Sequence, residues 1–169
     1  HREEDAVYLE ALAHAQAAGC VDRIGVSTYH PGPTAALLDR GAVQAVQIPT
    51  SILDQRFIRS GTLDPTRARG VTVFVRSVFL QGLLFLPAEK LAPFFAPAVA
   101  ARAQLEPLAR SAGLTPAELA VRFVLSLDAV SSLVLGVETV EQIRDNLRLC
   151  HLPPLPPDLF QAAQAAVPA

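Results

Sequence analysis

The sequence predicts an α/β protein organised around a parallel sheet. Strand-like and helix-like segments alternate four times along the chain, which requires crossover connections of the right-handed kind. The strand-like runs are short, and one of them, VTVFV at residues 71–75, is dense in β-branched residues. The segments between them carry apolar residues at helical spacing, or helix-start signatures.

Residues 3–18 place Ala and Leu at helical spacing, and Gly19 ends that helix. A short strand is predicted over 21–27. A helix over 34–39 follows, with Pro33 near its first turn and Gly41 closing it. AVQAVQI (42–48) predicts the second strand. Residues 54–69 form an amphipathic or irregular helix ended by Gly70, and 71–75 is the third strand. A long, apolar, Pro-containing connection covers 77–97, and a helix over 98–112 stops at Gly113. Thr115-Pro116-Ala117-Glu118 is a capping box with Pro at the first helical position. The fourth strand is predicted over 131–135. Thr139 and Gln142 make a second capping box for a helix reaching Leu149, and a Pro-rich stretch then leads to a last short helix.

With 169 residues, 51% of them hydrophobic, the chain can bury one sizeable core. A formal net charge of -2 argues against nucleic acid or an anionic membrane as a partner. No apolar run reaches the roughly 18 residues of a membrane span, since the most apolar stretch is broken by Arg76, Ser77 and Gln81. The charged opening predicts no signal peptide. Cys20 and Cys150 have no metal-ligand or CxxC spacing and are expected to be reduced and buried in a cytoplasmic protein. The chain has no Met and opens directly into a helix, so it is expected to be part of a longer protein. The acidic residues form no metal-binding cluster, and no Ser-His-Asp or Cys-His arrangement follows from spacing. Four β/α units fit either an open doubly wound sheet or part of an eight-stranded barrel. The GxGxxG fingerprint that would favour the former is absent.

Five segments, in order, resemble the aldo-keto reductase family. IGVST (24–28) is similar to the family's IGVSN at its fifth strand. AVQIPTSILDQR (45–56) resembles its sixth strand, and GVTVFVRSVFLQGLL (70–84) its seventh strand and following loop. LTPAELAVRFVLS (114–126) is similar to its seventh-helix region, and LVLGVETVEQIRDNL (133–147) to its eighth strand and cofactor-binding helix. The resemblance covers nearly the whole chain. It implies a TIM (β/α)8-barrel fold, of which this chain would be a half-barrel of about four parallel β/α units, 1–169, in a single domain.

The resemblance also implies chemistry. The family's Asp, its Tyr general acid and the Lys that lowers the tyrosine's pKa belong to the first four strands. Its catalytic His ends strand four, often followed by Arg-Pro. His1, followed by Arg2, falls at about that place; the other reading is a tag or linker histidine, or chance. Ser27 and Thr28 take the positions of the Ser and Asn that hold the nicotinamide carboxamide, and Gln47 that of a strand-six Gln with the same role. Thr28 keeps a donor and an acceptor but loses the amide's two-pronged geometry. A plain turn or alternating-strand role is the bland alternative for these polar residues. Arg76 stands where many relatives carry an aromatic that stacks under the nicotinamide. A guanidinium can stack too, adding positive charge next to an oxidised ring, or it can meet a phosphate or an acidic substrate. Ser77, Phe79, Gln81 and Gly82 lie on the loop that the family folds over the pyrophosphate.

Residues 136–146 match the segment that holds the adenosine end. Gly136, Glu138 and Thr139 open it, Gln142 matches a position that is Arg or Gln among relatives, and Asp145 with Asn146 matches the pair that contacts the adenine amino group. The helix from Thr139 offers backbone N–H groups and a positive dipole end to phosphate. Relatives that prefer NADPH carry a Lys or Arg here for the 2′-phosphate. This chain has Gly136 and Glu138, with Arg144 the one base close by, so NADH is expected to be tolerated. His14, His30 and His151 are expected at the surface, with the mouth of a substrate site as the other reading for His30.

The function implied is reduction of an aldehyde or ketone by NADP- or NAD-borne hydride, with a small-molecule carbonyl as substrate. This chain would supply the cofactor-binding half and be inactive alone. The alternatives are a non-catalytic half-barrel that self-associates through its open edges, or pairs with an amino-terminal half, and a cofactor-binding regulatory remnant.

Overall fold

The computed structural model describes residues 2–168, with side chains from Ala6 onward; His1 lies outside the described residues. Eight α-helices accompany four strands among them. Helix α1 (Arg2–Ala17) leads through Gly19, with φ of 72°, to β1 (Gly25–Ser27). Helix α2 (Pro31–Asp39) crosses to β2 (Ala45–Pro49), and two short helices, α3 (Arg56–Arg59) and α4 (Asp64–Ala68), cross to β3 (Thr72–Arg76). A loop of three 3-10 turns precedes α5 (Ala96–Ser111) and α6 (Pro116–Leu125). Strand β4 (Ser132–Val134), α7 (Val140–Cys150) and α8 (Pro157–Ala165) complete the chain.

The strands form one parallel sheet in the order β1-β2-β3-β4. A doubly wound sheet reverses its strand order at a switch point. Here every strand pairs with its sequence neighbours and no reversal occurs, which is the winding of a barrel wall.

Alternation along the strands separates two faces. Val46 and Ile48 of β2 and Val73 and Val75 of β3 are buried beneath the helices. Their alternates form rows across the other face: Ser27, Gln47, Phe74 and Ser132 in one, and Pro49, Arg76 and Val134 in the next. That face is open, with Phe74 36% and Val134 44% exposed. Between sheet and helices the core collects Phe57, Phe123, Val121 and Val124, and Phe123 stacks on Phe160 of α8 at 4.9 Å. Among its described side chains, helix α1 adds partly buried Leu9 to this core, while Val7 and Tyr8 stay exposed.

Several boundaries differ from the expected ones for identifiable reasons. Strands β1 and β2 both start later than residues 21 and 42. Ala42 is held in the turn after α2, its N–H donating to the Leu37 carbonyl at 3.2 Å, and the Gln44 side chain accepts from Ile24 N at 3.0 Å, so pairing begins just beyond these residues. Helix α2 starts at Pro31, because a first helical turn needs no N–H from Pro31 or Pro33. The helix expected over 54–69 is broken at Gly61, where φ is 68°, and restarts with Pro65 in the first turn of α4.

Both capping boxes form as predicted, Thr115 with Glu118 and Thr139 with Gln142. The cysteines are not buried: both thiols are free, Cys20 in the turn past Gly19 and Cys150 at the end of α7. Neighbouring atoms still desolvate the Cys150 sulfur enough to push its pKa up. No described helix is long and apolar enough to cross a membrane.

Candidate cofactor site at the carboxyl ends of the strands

Two clusters of the predicted residues meet at the carboxyl ends of the strands. The first spans β1 to β3. Ser27 and Gln47 are register partners, and Ser27 Oγ donates to Gln47 Oε1 at 3.2 Å. With its proton given away, Ser27 keeps lone pairs to accept with, and Gln47 keeps its amide NH2 to donate with. One acceptor beside one donor is the complement of a carboxamide. Gln44, the other glutamine of this segment, has a structural role, since its side-chain oxygen satisfies Ile24 N.

Thr28 is placed differently. Its N–H donates to the Gln47 carbonyl at 2.9 Å, tying the end of β1 to β2. Its hydroxyl lies 2.5 Å from that of Thr34, and Thr34 Oγ1 donates to the His30 carbonyl at 2.9 Å. A hydroxyl has one proton, so Thr28 must be the donor of the pair. Thr28 therefore faces the site with an acceptor only.

Arg76, at the end of β3, lays its guanidinium over the Tyr29 ring, 4.3 Å from the centroid. It also reaches Thr28 O at 3.4 Å and Ser77 Oγ at 3.3 Å. Among the described side chains it has no carboxylate partner. Tyr29 is not singled out by the sequence; the signal available was an aromatic two residues beyond Ser27.

Ser77 joins this cluster to the second, an open groove of about 760 Å³ between the loop after β3 and helix α7. Of the predicted residues, Ser77, Phe79, Gln81 and Gly82 line one wall, and Gly136, Glu138, Gln142, Asp145 and Asn146 the other. Apolar residues including Val78, Phe85, Val134 and Val137 line the rest, and nothing in the sequence distinguishes these from ordinary core residues. The loop wall is strained. Ser77, Leu80 and Gln81 have φ of 63°, 47° and 54°, a region that non-glycine residues enter at a cost. Arg102 of α5 clamps the loop, donating to the carbonyls of Leu83 at 3.0 Å and Leu86 at 2.7 Å.

Thr139 does not line the groove but caps α7. Its hydroxyl accepts from Gln142 N at 3.2 Å, while Gln142 Oε1 accepts from Glu138 N at 2.6 Å and Thr139 N at 3.4 Å. The helix start therefore has fewer free donors than its sequence suggests. Neither the capping box nor the helix ladder uses the N–H groups of Val140 and Glu141.

Helix α7 is held against α6 by Glu118. Its carboxylate accepts from Thr115 N at 2.8 Å, Thr115 Oγ1 at 2.9 Å and Arg148 at 3.0 Å. The backbone bond from Thr115, then Arg148, hold its pKa down at about 2. His14, His30 and His151 are exposed, and His30 precedes α2 without a capping bond. No group of acidic, His and Cys residues among those described can hold a metal ion.

A singly wound parallel sheet with its polar residues gathered at the carboxyl ends defines a (β/α)-barrel protein of the kind that carries its site on that rim. The model of the aldo/keto reductase family matches residues 3–167, and the chain belongs to that family. Solved structures agree in fold. Aldo-keto reductase AKR11C1 from Bacillus halodurans, in its holo form, superposes with a TM-score of 0.78 at 23% identity, over 95% of this chain and 55% of its own. The glycerol dehydrogenase AKR11B4 from Gluconobacter oxydans gives 0.71 at 21% identity, over 94% and 52%. A thermostable aldo-keto reductase, Tm1743, in complex with the inhibitor epalrestat gives 0.69 at 21%, over 94% and 53%. The chain thus spans about half the length of these relatives. Among curated proteins none matches.

Proposed function

We propose that this chain is the dinucleotide-holding half of an NAD(P)H-dependent oxidoreductase that reduces an aldehyde or ketone to an alcohol. The observation that carries the proposal is the Ser27–Gln47 pair, one acceptor and one donor side by side on the open face of the sheet. The groove supports it, running from Ser77, which accepts from Arg76, to Asn146 on α7.

Bound in this groove, the dinucleotide supplies the hydride, and the protein supplies orientation. Ser27 accepts from the carboxamide NH2 and Gln47 donates to its carbonyl, which fixes the face of the ring turned to the substrate. Arg76 flanks the ring end with Tyr29 behind it. The loop at Ser77 and Gln81 and the leftover N–H groups of α7 hold the phosphates, and Asp145 and Asn146 hold the adenine. Proton delivery to the carbonyl oxygen is assigned to residues of further β/α units, and His1 remains this chain's one candidate for a catalytic histidine beside that donor. The open edges of β1 and β4 and the exposed α7 stripe of Val140, Ile143 and Leu147 are the surfaces those units would cover, whether they are a preceding half or a second copy. We place the protein in the cytoplasm, where free thiols such as Cys20 and Cys150 persist.

Calorimetric titration of the folded chain with NADH and NADPH tests the reading. Saturable binding is expected, and Gln47→Leu should weaken it by about two- to tenfold, the value of one hydrogen bond. A folded chain that binds neither cofactor removes the proposal. Carbonyl turnover by the pure chain would instead refute the assignment of the proton donor to other units.

A further inference from the structure

The groove holds two carboxylates, Glu138 and Asp145, and among the described side chains no basic one lines it. The nearby described cations lie outside the lining. Arg148 is paired with Glu118 at 3.0 Å, and Arg102 is bound to the carbonyls of Leu83 and Leu86. Arg76 lies beyond Ser77 and is stacked on Tyr29, and Arg144 is exposed on α7 outside the lining. The backbone of Glu138 is fixed as well, since its N–H donates to Gln142 Oε1 at 2.6 Å within the capping box. This carboxylate is therefore attached to an anchored peptide.

We infer that the groove selects against a 2′-phosphate on the adenosine ribose, so that the protein takes NADH in preference to NADPH. Discrimination rests on Glu138, with Asp145 adding to it. The inference depends on the groove holding the adenosine end, as proposed above. Both cofactors carry the same pyrophosphate, so the difference between them isolates the extra phosphate. A 2′-phosphate carries close to two negative charges. At roughly 6 Å from one carboxylate in a water-like dielectric, it is repelled enough to weaken binding about tenfold.

The test is calorimetric titration of this chain with four probes: NADH, NADPH, 5′-ADP and 2′,5′-ADP. The two mononucleotides report on the adenosine end without the nicotinamide. NADH and 5′-ADP are expected to bind about tenfold more tightly than their 2′-phosphorylated counterparts. The gap should shrink as ionic strength rises, because screening weakens charge repulsion and leaves a steric exclusion untouched. Glu138→Lys should close or reverse the gap, and Glu138→Gln, the milder variant, should narrow it. Equal or tighter binding of the 2′-phosphorylated probes by the unmodified chain overturns the inference, as does a gap that Glu138→Gln leaves unchanged. If the folded chain binds none of the four, the reading of the groove fails, and this inference goes with it.

Discussion

Glu118 offers a quantitative test of how α7 is held against α6. Replacing it with Ala removes the N3 half of the α6 capping box and the ion pair that ties α6 to α7. A carboxylate held below its ordinary pKa stabilises the fold above that ordinary value. Here the stabilisation is complete above pH 4.5 and is lost as the pH falls toward about 2. Taken at face value, a shift of that size corresponds to about 3 kcal/mol. Arg148 is 57% exposed, however, so water screens the pair and the figure must be discounted. Loss of a cap costs about 1 kcal/mol and an exposed pair up to another 1. We therefore expect Glu118→Ala to lower stability by about 1–2 kcal/mol at pH 7. Glu118→Gln should lose less, since Gln can rebuild the box but not the ion pair. Urea denaturation from pH 7 to pH 2 measures both. The gap between the parent chain and Glu118→Ala should close across the acid range. A gap that is constant with pH would refute the electrostatic reasoning.

Three further substitutions probe the frame of the site. A Cβ at Gly25 would lie 2.4 Å from the Ala45 carbonyl oxygen, so Gly25→Ala must push β1 away from β2. It should cost about 1–3 kcal/mol in urea denaturation and weaken cofactor binding by parting Ser27 from Gln47; unchanged stability would refute the close approach. Phe123→Ala empties a fully buried position stacked on Phe160 and should cost about 3–5 kcal/mol, read as a lowered urea midpoint. Thr34→Val keeps the shape of a buried residue but strands the Thr28 hydroxyl, for an expected loss of about 1–2 kcal/mol by the same assay.

What the sequence reveals tracks how local its cause is. The two capping boxes depend on side chains three residues apart, and both are correct to the residue. The parallel alternation is equally legible, because it needs only the order of segments. Strand starts were misread because pairing depends on a distant partner: nothing near Val21 shows that the Gln44 side chain will take up the Ile24 N–H instead. The break at Gly61 was a local signal, a Gly followed by Pro65, that helical spacing over 54–69 concealed. In the site, most of the residues carried by resemblance lie along one rim, whereas Thr139 caps α7 and His1 lies outside the described residues. Their hydrogen bonding was not legible. The Thr28 proton goes to Thr34, and only the folded backbone decides such a choice. The exposure of Cys20 and Cys150 was hidden for a related reason, since a small apolar residue does not announce which side of its element it occupies.

The β1-β2-β3-β4 order has a consequence for how such a chain is assembled and modified. Each strand is flanked only by its immediate predecessor and successor, so no interior hydrogen bond of the sheet is borrowed from a remote segment. Material can be added or removed at Gly25–Ser27 or at Ser132–Val134 without re-registering any existing ladder. The wall extends by accretion at its two margins. Splitting or fusing such genes between units would leave every ladder that lies within a piece intact.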